Sequence, residues 1–432
     1  MQNNKDVLLQ TYSLKELVKF VRKASPFYRE LYQNISEENF QLEDLPIIEE
    51  NSFWNANTVI NNKVITADPS GIALKTGGTT AIPKISFFSR EEWDFFAKIL
   101  CLKLSETGII CDGDRLANMF ISGGMYGSLL LTHNIIQAGF LTVLELPIGA
   151  GKNVSIEHSV SIMQDLKVNV LMGFPYGIIQ ILQYCKIHNI KLELKTILYS
   201  ADMIYEAQKK YIREMYPNIL ISSDAYASTD SGFLGYADKT CDINEYRTDC
   251  RYTILEIVDE KTGALIQAPN IIGKLLATNL TKRLQPIIRY PVGDRAMWVE
   301  NENSKFRKLK LMGRETIKDD KIPIGNTILG YKDFLQALGS YGEQTIGFQL
   351  NINNANNKYK IIVIIAPADL NSCNNKSVAD DIKSSIFKNL PMLSQAELNH
   401  EIWPVEVKLV PMSEMEMDSR TYKAIRIITD KK

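Results

Sequence analysis

Residues 154–226 decide the fold. They read VSIEHSVSIMQDLK (154–167), VNVLMGF (168–174), YGIIQILQYCKIHN (176–189), KTILYSA (195–201), IYEAQKKYIREMYP (204–217) and NILISSDAY (218–226). In the first, third and fifth runs apolar residues return every three or four positions, the period of a helix with one buried face. The runs between them are short and apolar, as buried strands are. Strands alternating with helices predict an α/β domain built on a largely parallel sheet. The pattern extends backwards to a strand in FLTVLEL (140–146), an amphipathic helix in REEWDFFAKILCLKL (90–104), a short strand at the end of VITADPSGIALKT (64–76) and a helix in LKELVKFVRKASPFYRELY (14–32) that Pro26 interrupts. After Asp230 the style changes. RYTILEIVD (251–259), GKLLATNL (273–280) and PIIRYPVGD (286–294) read as antiparallel strands joined by turns such as Lys261-Thr262-Gly263, a β-rich subdomain. From about Gly313 the pattern starts again, with a hairpin in QTIGFQLNINNANNKYKIIVIIAP (344–367), a helix in SVADDIKSSIFKNLP (377–391) and a strand in VEVKLVP (405–411). That portion has the size of a small α+β domain. The expected division is residues 1–313 and 314–432.

Composition narrows the function classes. The 432 residues are 45% hydrophobic and 23% charged with a net charge of −1, ordinary for a globular chain and unfavourable for a nucleic-acid or anionic-membrane partner. The cysteines Cys101, Cys111, Cys185, Cys241, Cys250 and Cys373 form no CxxC pair, which predicts reduced thiols in a cytoplasmic protein. Cys241 and Cys250 read as unpaired thiols more readily than as metal ligands, and the four histidines show no metal spacing. MQNNKDVLLQTYSLKELVKF does not read as a signal peptide. Residues 116–144 carry no Asp, Glu, Lys or Arg, long enough for a membrane span. Their Asn118, Ser122, Gly123, Gly124, His133, Asn134 and Gln137 favour a buried strand–loop–helix–strand unit instead.

Five strings carry chemistry. Lys75-Thr76-Gly77-Gly78-Thr79-Thr80-Ala81-Ile82-Pro83-Lys84 follows a strand. Glycines let backbone approach an anion, and hydroxyls and N–H groups donate to phosphate oxygens. It is not a Walker A loop, and a polar surface turn is the plain alternative. Asp224-Ala225-Tyr226-Ala227-Ser228-Thr229-Asp230 sets an aromatic among small residues, a slot for a base, with a hydroxyl and a carboxylate beyond for phosphate and Mg²⁺. A solvated strand end would look the same. Tyr290-Pro291-Val292-Gly293-Asp294 places a carboxylate where ribose hydroxyls bind or where a turn needs a cap. Gly313-Arg314 stands at the expected boundary, and Arg420-Thr421-Tyr422-Lys423-Ala424-Ile425-Arg426 near the end. A lone lysine such as Lys423 is most often a solvated charge. No Gly-x-Ser-x-Gly elbow supports a serine hydrolase.

In this order the strings resemble the acyl-adenylate-forming enzymes, the phenylacetate–CoA ligase branch in particular. The family's phosphate loop corresponds to Thr76–Lys84, its Asn/Asp-x-Tyr-Gly-x-Thr/Ser-Glu to Asp224–Asp230, its Tyr-Arg-Thr-Gly-Asp to Tyr290–Asp294, its hinge Gly-Arg to Gly313-Arg314 and its Gly-Lys-x-x-Arg to Tyr422–Arg426. Ser25-Pro26-Phe27-Tyr28-Arg29 and Glu256-Ile257-Val258-Asp259 also look like this branch. The chain departs at Gly77, Ala81, Ala227, Asp230, Pro291-Val292, Thr316 and Tyr422.

The resemblance implies a large N-terminal adenylating domain with mixed sheets and a mobile C-terminal domain. It implies ATP-dependent activation of a carboxylic acid, aromatic or medium-sized and apolar, to an acyl-AMP. Transfer to a thiol would follow, to CoA or to carrier-protein pantetheine. An amine acceptor and a non-catalytic nucleotide-binding relative are the alternatives. By the same resemblance Thr76, Gly77, Gly78, Thr79, Thr80 and Lys84 cradle phosphates, and Tyr226, flanked by Ala225, Ala227 and Ser228, stacks near adenine. Asp224 or Ala201-Asp202 holds the base's amino edge. Thr229 contacts phosphate, Asp230 binds Mg²⁺, Asp294 takes the ribose with Arg314 nearby, and Lys423 bridges the reacting oxygens. Phe120, Gly123, Gly124, Tyr126 and Phe174 resemble an acyl pocket, and core packing explains them equally. The partners implied are a small acid, a separate carrier protein where pantetheine accepts, and a second copy in a homodimer.

Overall fold

The computed structural model describes residues 11–75, 84–151, 153–314, 321–324, 327–355 and 358–429. The chain divides into two compact units, Met1–Gly149 with Ser222–Glu315, and Ala150–Ile221 with Thr316–Lys432. The fold is mixed α/β, with parallel and antiparallel pairing in each unit.

In the first unit, the helices Leu14–Ala24 and Pro26–Leu31 meet at Ser25, which ends one and caps the other. Pro26 sits at the first helical position, where no N–H is needed, so the proline starts a helix as well as ending one. The two helices and Glu50–Ala56 bury an aromatic cluster that holds Tyr28, Tyr32, Phe53, Trp54 and Tyr290. The strands Gly71–Lys75 and Ile85–Ser89 pair antiparallel, with Lys75 opposite Ile85. The helix Arg90–Thr107 follows, opened by a reciprocal Ser89–Glu92 capping box and closed by left-handed Gly108. The uncharged stretch is the strand Arg115–Asn118, a tight hairpin, the helix Ser128–Gln137 and the strand Leu144–Leu146, which runs parallel to the first. Asn118 is fully buried and donates to Leu129 O and Glu145 Oε1, so its polar groups are satisfied inside protein. Among the described residues no helix is long and apolar enough to cross a membrane.

The same unit holds a five-stranded antiparallel sheet, ordered Glu245–Arg247, Lys308–Arg314, Tyr290–Trp298, Gly273–Asn279, Thr253–Val258. Leu255, Ile257, Leu275, Ala277, Ala296 and Leu309 bury its inner face with Tyr226 and Tyr246. This is the β-rich portion expected after Asp230.

In the second unit, Val170–Gly173 and Thr196–Tyr199 pair in parallel between the helices Ile156–Asp165, Pro175–Ile187 and Glu206–Met215. All four residues of each strand are buried, which is why they read as continuous apolar runs. The later part is a four-stranded mixed sheet, ordered Glu406–Leu409, Lys358–Pro367, Thr345–Ala355, Ile427–Ile428. Tyr331–Ala337, Lys376–Asn389 and Pro391–Leu398 are its helices, and Phe334, Phe348, Ile361, Ile386 and Leu393 lie in its core. Polar side chains join the two parts of this unit. The Tyr176 hydroxyl meets the Phe348 backbone, Gln180 Nε2 donates to Met412 O at 2.9 Å, and Gln208 Nε2 donates to Ile346 O at 2.8 Å.

Candidate functional site

The first unit brings three of the sequence strings to one carboxylate. The strand Tyr226–Ser228 pairs with Gly232–Gly235, and a bulge between Tyr226 and Ala227 re-aims the ring. The Tyr226 hydroxyl donates to Asp294 Oδ2 at 2.7 Å. Burial, and then the Asp294 charge, push the phenol well above its ordinary pKa, so it stays a neutral donor. Asp294 lies opposite Arg314 in the strand register, with Nε 3.5 Å from Oδ1. Gly293, beside it, has φ +84°, a conformation that suits glycine. The Tyr246 ring lies 5.2 Å from the Tyr226 ring and tilts by 34°. Asp224 turns its own Oδ1 to the Ala225 N–H at 2.6 Å, while Ala225 is buried and Ala227 exposed. Ser228 Oγ accepts from Ser231 N at 3.0 Å and closes the turn that carries half-buried Thr229 and Asp230.

Asp230 is held from two sides. The Tyr290 hydroxyl donates to its Oδ2 at 2.9 Å and accepts from Trp54 Nε1 at 3.0 Å. Lys282 Nζ donates to its backbone oxygen at 2.8 Å. Burial lowers the Lys282 pKa to about 8 against the opposing pull of Glu92 and Asp230. Among the described residues, Asp230 Oδ1 has no protein donor. A single carboxylate with an open oxygen fits a hard cation that takes its other ligands from water and phosphate. The described residues contain no cluster of three or more His, Cys, Asp or Glu that could hold a metal ion.

Thr76, Gly77, Gly78, Thr79 and Thr80 lie outside the described residues. On either side of the undescribed residues, Lys75 and Ile85 are register partners. Lys84 pairs with Glu50 and stands 5.7 Å over the Trp54 ring, so Lys84 itself adjoins the Trp54–Tyr290–Asp230 chain. Gly123 and Gly124, both with positive φ, form the exposed tip of the Ser122–Gly123/Tyr126–Gly127 hairpin. Met125 O in that turn accepts from Lys75 N at 2.9 Å. Tyr126 is half-buried, and Phe120 is buried beside Asn118, its N–H donating to Asn118 Oδ1. Buried Phe174 lies in the second unit, at the start of the helix Pro175–Ile187.

The second unit also holds Ala201, Asp202 and Lys423. Ala201 has φ +64°, a strained conformation for a residue with a Cβ. Asp202 Oδ1 accepts from Met203 N and from Arg426 Nη2 at 3.3 Å. Lys423 is half-buried in a turn that Asp418 organises: Asp418 Oδ1 accepts from Arg420 N, Thr421 N and Thr421 Oγ1, and Asp418 N donates to Lys423 O at 2.8 Å. Tyr422 has φ +53°. The position where the family pattern has glycine is therefore left-handed, and Tyr422 occupies it with its hydroxyl 3.2 Å from Gln180 Oε1.

Sequence reasoning missed Trp54, Lys282 and the role of Tyr290. Tyr290 stood inside a quoted string, so its place was visible. Trp54 meets its partner 236 residues away, and no local pattern announces that. All six cysteines are free thiols.

No family model matches the chain. It is 27% identical over 191 residues to an indoleacetate–lysine synthetase of Pseudomonas savastanoi, covering 44% of each. It is 25% identical over 295 residues to a phenylacetate–coenzyme A ligase of Thermus thermophilus, covering 66% of this chain and 64% of that one. The matched stretches thus span less than two thirds of either relative. A crystal structure of 2-hydroxyisobutyryl-CoA ligase in the postadenylation state, in complex with 2-HIB-AMP, superposes with a TM-score of 0.72 at 15% identity, covering 97% of this chain and 88% of that chain. By sequence the chain is similar to ligases that activate carboxylic acids, and by fold to a ligase solved with its acyl-adenylate.

Proposed function

We propose that the chain activates a carboxylic acid, aromatic or medium-sized and apolar, to an acyl-adenylate at the expense of ATP, and passes the acyl group to a thiol, CoA foremost. The observation that carries this reading is the convergence of Tyr226 and Arg314 on the Asp294 carboxylate, because the family pattern assigns all three to one nucleotide. In the first half-reaction a carboxylate oxygen bonds to the α-phosphorus and pyrophosphate leaves. In the second a thiolate bonds to the acyl carbon and AMP leaves. The first step joins two anions, so the site must align them and offset charge. Mg²⁺, when bound, supplies part of that offset, and Asp230 is the residue that would hold it.

In this reading Thr76–Thr80 and Lys84 receive the β- and γ-phosphates. Tyr226, with Ala225, Ala227 and Ser228, borders the adenine, Asp224 and Ala201-Asp202 face its amino edge, and Thr229 meets phosphate. Asp294, oriented by Tyr226 and Arg314, takes the ribose hydroxyls. Lys423 places its ammonium between the reacting oxygens, and the Asp418 turn fixes the backbone it departs from. Phe120, Gly123, Gly124, Tyr126 and Phe174 line the acyl pocket. Residues 1–313 act as the adenylating domain and 314–432 as the mobile domain that presents Lys423.

The test is acid-dependent ATP–pyrophosphate exchange across aromatic, aliphatic and amino acids. Exchange with one class supports adenylation and names the substrate class. A folded protein that exchanges with none overturns the reading. A second reading, amide formation, is favoured by the likeness to a lysine-conjugating synthetase. Offering CoA, phosphopantetheine and lysine in turn to the adenylated enzyme, and following AMP release, separates the acceptors.

A further inference from the structure

Lys282 is 1% exposed, and its ammonium makes no ion pair with a carboxylate among the described residues. Its partners are Asp230 O at 2.8 Å, Gln285 Oε1 at 3.4 Å and the Phe88 ring, 4.2 Å from Nζ. A buried charge is costly unless it is well partnered, and an apolar side chain would fill this place more cheaply. What the ammonium touches gives a reason for its presence. Gln285 Oε1 also accepts from Phe87 N at 2.8 Å, in the strand Ile85–Ser89 that leaves the loop 76–83. Asn279 Nδ2 takes the next carbonyl along, Ser231 O, at 2.6 Å. The segment 279–285 thus grips two consecutive peptides at Asp230-Ser231 and, through Gln285, the strand Ile85–Ser89.

We propose that Lys282 is a positioning residue: with Gln285 it braces the Asp230 peptide against the strand Ile85–Ser89, so that the Asp230 carboxylate and that strand keep one spacing. The proposal rests on the reading of these two segments as ATP-facing. Tyr290 orients the Asp230 carboxylate, and Lys282 sets the backbone from which it projects.

The test compares wild type, Lys282→Met and Gln285→Leu by calorimetric titration with ATP, with and without Mg²⁺, by exchange kinetics and by thermal melting. Lys282→Met is expected to weaken Mg²⁺-dependent ATP binding by about tenfold or more and to lower kcat with the KM for the acid unchanged. Gln285→Leu keeps the bond to Asp230 and cuts the tie to Phe87, so it shows a smaller loss in the same sense. A purely structural role would lower the melting temperature and leave the ATP affinity of the folded protein at the wild-type value, which overturns the proposal. Where Lys282→Met does not fold, Gln285→Leu decides by the same criterion. A wild type that binds ATP but exchanges with no acid removes the proposed function, and the ATP affinities still decide the brace. A wild type that binds no ATP overturns both.

Discussion

The segments around Asp230 and around Lys423 hold their key residues in opposite ways. Asp294 sits in an antiparallel strand and Asp230 in the turn between two paired strands, and their partners come from far along the chain: Tyr290 lies 60 residues from Asp230, and Tyr226 lies 68 from Asp294. Lys423 sits in a short turn whose order comes from a neighbour five positions away, Asp418, and from a left-handed Tyr422. The first arrangement is rigid by register, because moving one strand would break several bonds together. The second is rigid locally but carries backbone strain, and strain of that kind collects where a chain must present a side chain for a purpose. The difference teaches where each part will yield: the first when a distant partner is removed, the second when a local conformation is changed.

The sharpest break in that comparison is Lys423→Ala. If its ammonium offsets charge between the reacting oxygens, exchange by the folded variant falls by about 10²–10³-fold. Unchanged exchange would leave the Asp418 turn without a catalytic purpose. Tyr290→Phe comes next. It removes the hydroxyl that links Trp54 to Asp230, and activity at limiting Mg²⁺ should fall by about 10–100-fold, with partial recovery when Mg²⁺ is raised. A loss that extra Mg²⁺ does not relieve would argue against Asp230 as the metal-binding residue. Tyr226→Phe removes the hydroxyl that donates to Asp294 Oδ2. It should cost about 1.5–3 kcal/mol in denaturant unfolding, since the lost bond is made to a charged acceptor, and it should raise the KM for ATP. The smallest effect belongs to Tyr422→Gly. It relieves about 1 kcal/mol of left-handed strain and gives up the bond to Gln180 and a half-buried ring, so stability should change by no more than about 1 kcal/mol. A much larger drop would mean that the ring, rather than the turn, orders this segment.

Much of the architecture was legible because it rests on local periodicity. The strand–helix alternation of 154–226, the antiparallel character of 251–294, the 344–367 hairpin and the strand–loop–helix–strand order of 116–144 all follow from patterns a few residues long. Where reading and structure differ, the reason is equally local. Pro26 starts the helix Pro26–Leu31 because Ser25 caps it, and FLTVLEL contributes only Leu144–Leu146 to a strand. The grouping of residues 150–221 with the chain from 316 onward was not legible. It depends on Tyr176, Gln180 and Gln208 reaching backbone groups at 348, 412 and 346, and a glutamine on a helix face gives no hint of its partner.

The sequence by itself determined the alternation of elements, the order of the five strings and the likeness to adenylate-forming enzymes, because each is written in neighbouring residues whose spacing constrains the backbone directly. Only the tertiary structure decided that Asp294 is shared by Tyr226 and Arg314, that Asp230 hangs between Tyr290 and Lys282, and that Tyr422 takes a glycine's conformation. Hydrogen bonds across tens to hundreds of residues depend on sheet register and on desolvation, and both are properties of the folded chain rather than of any stretch of it.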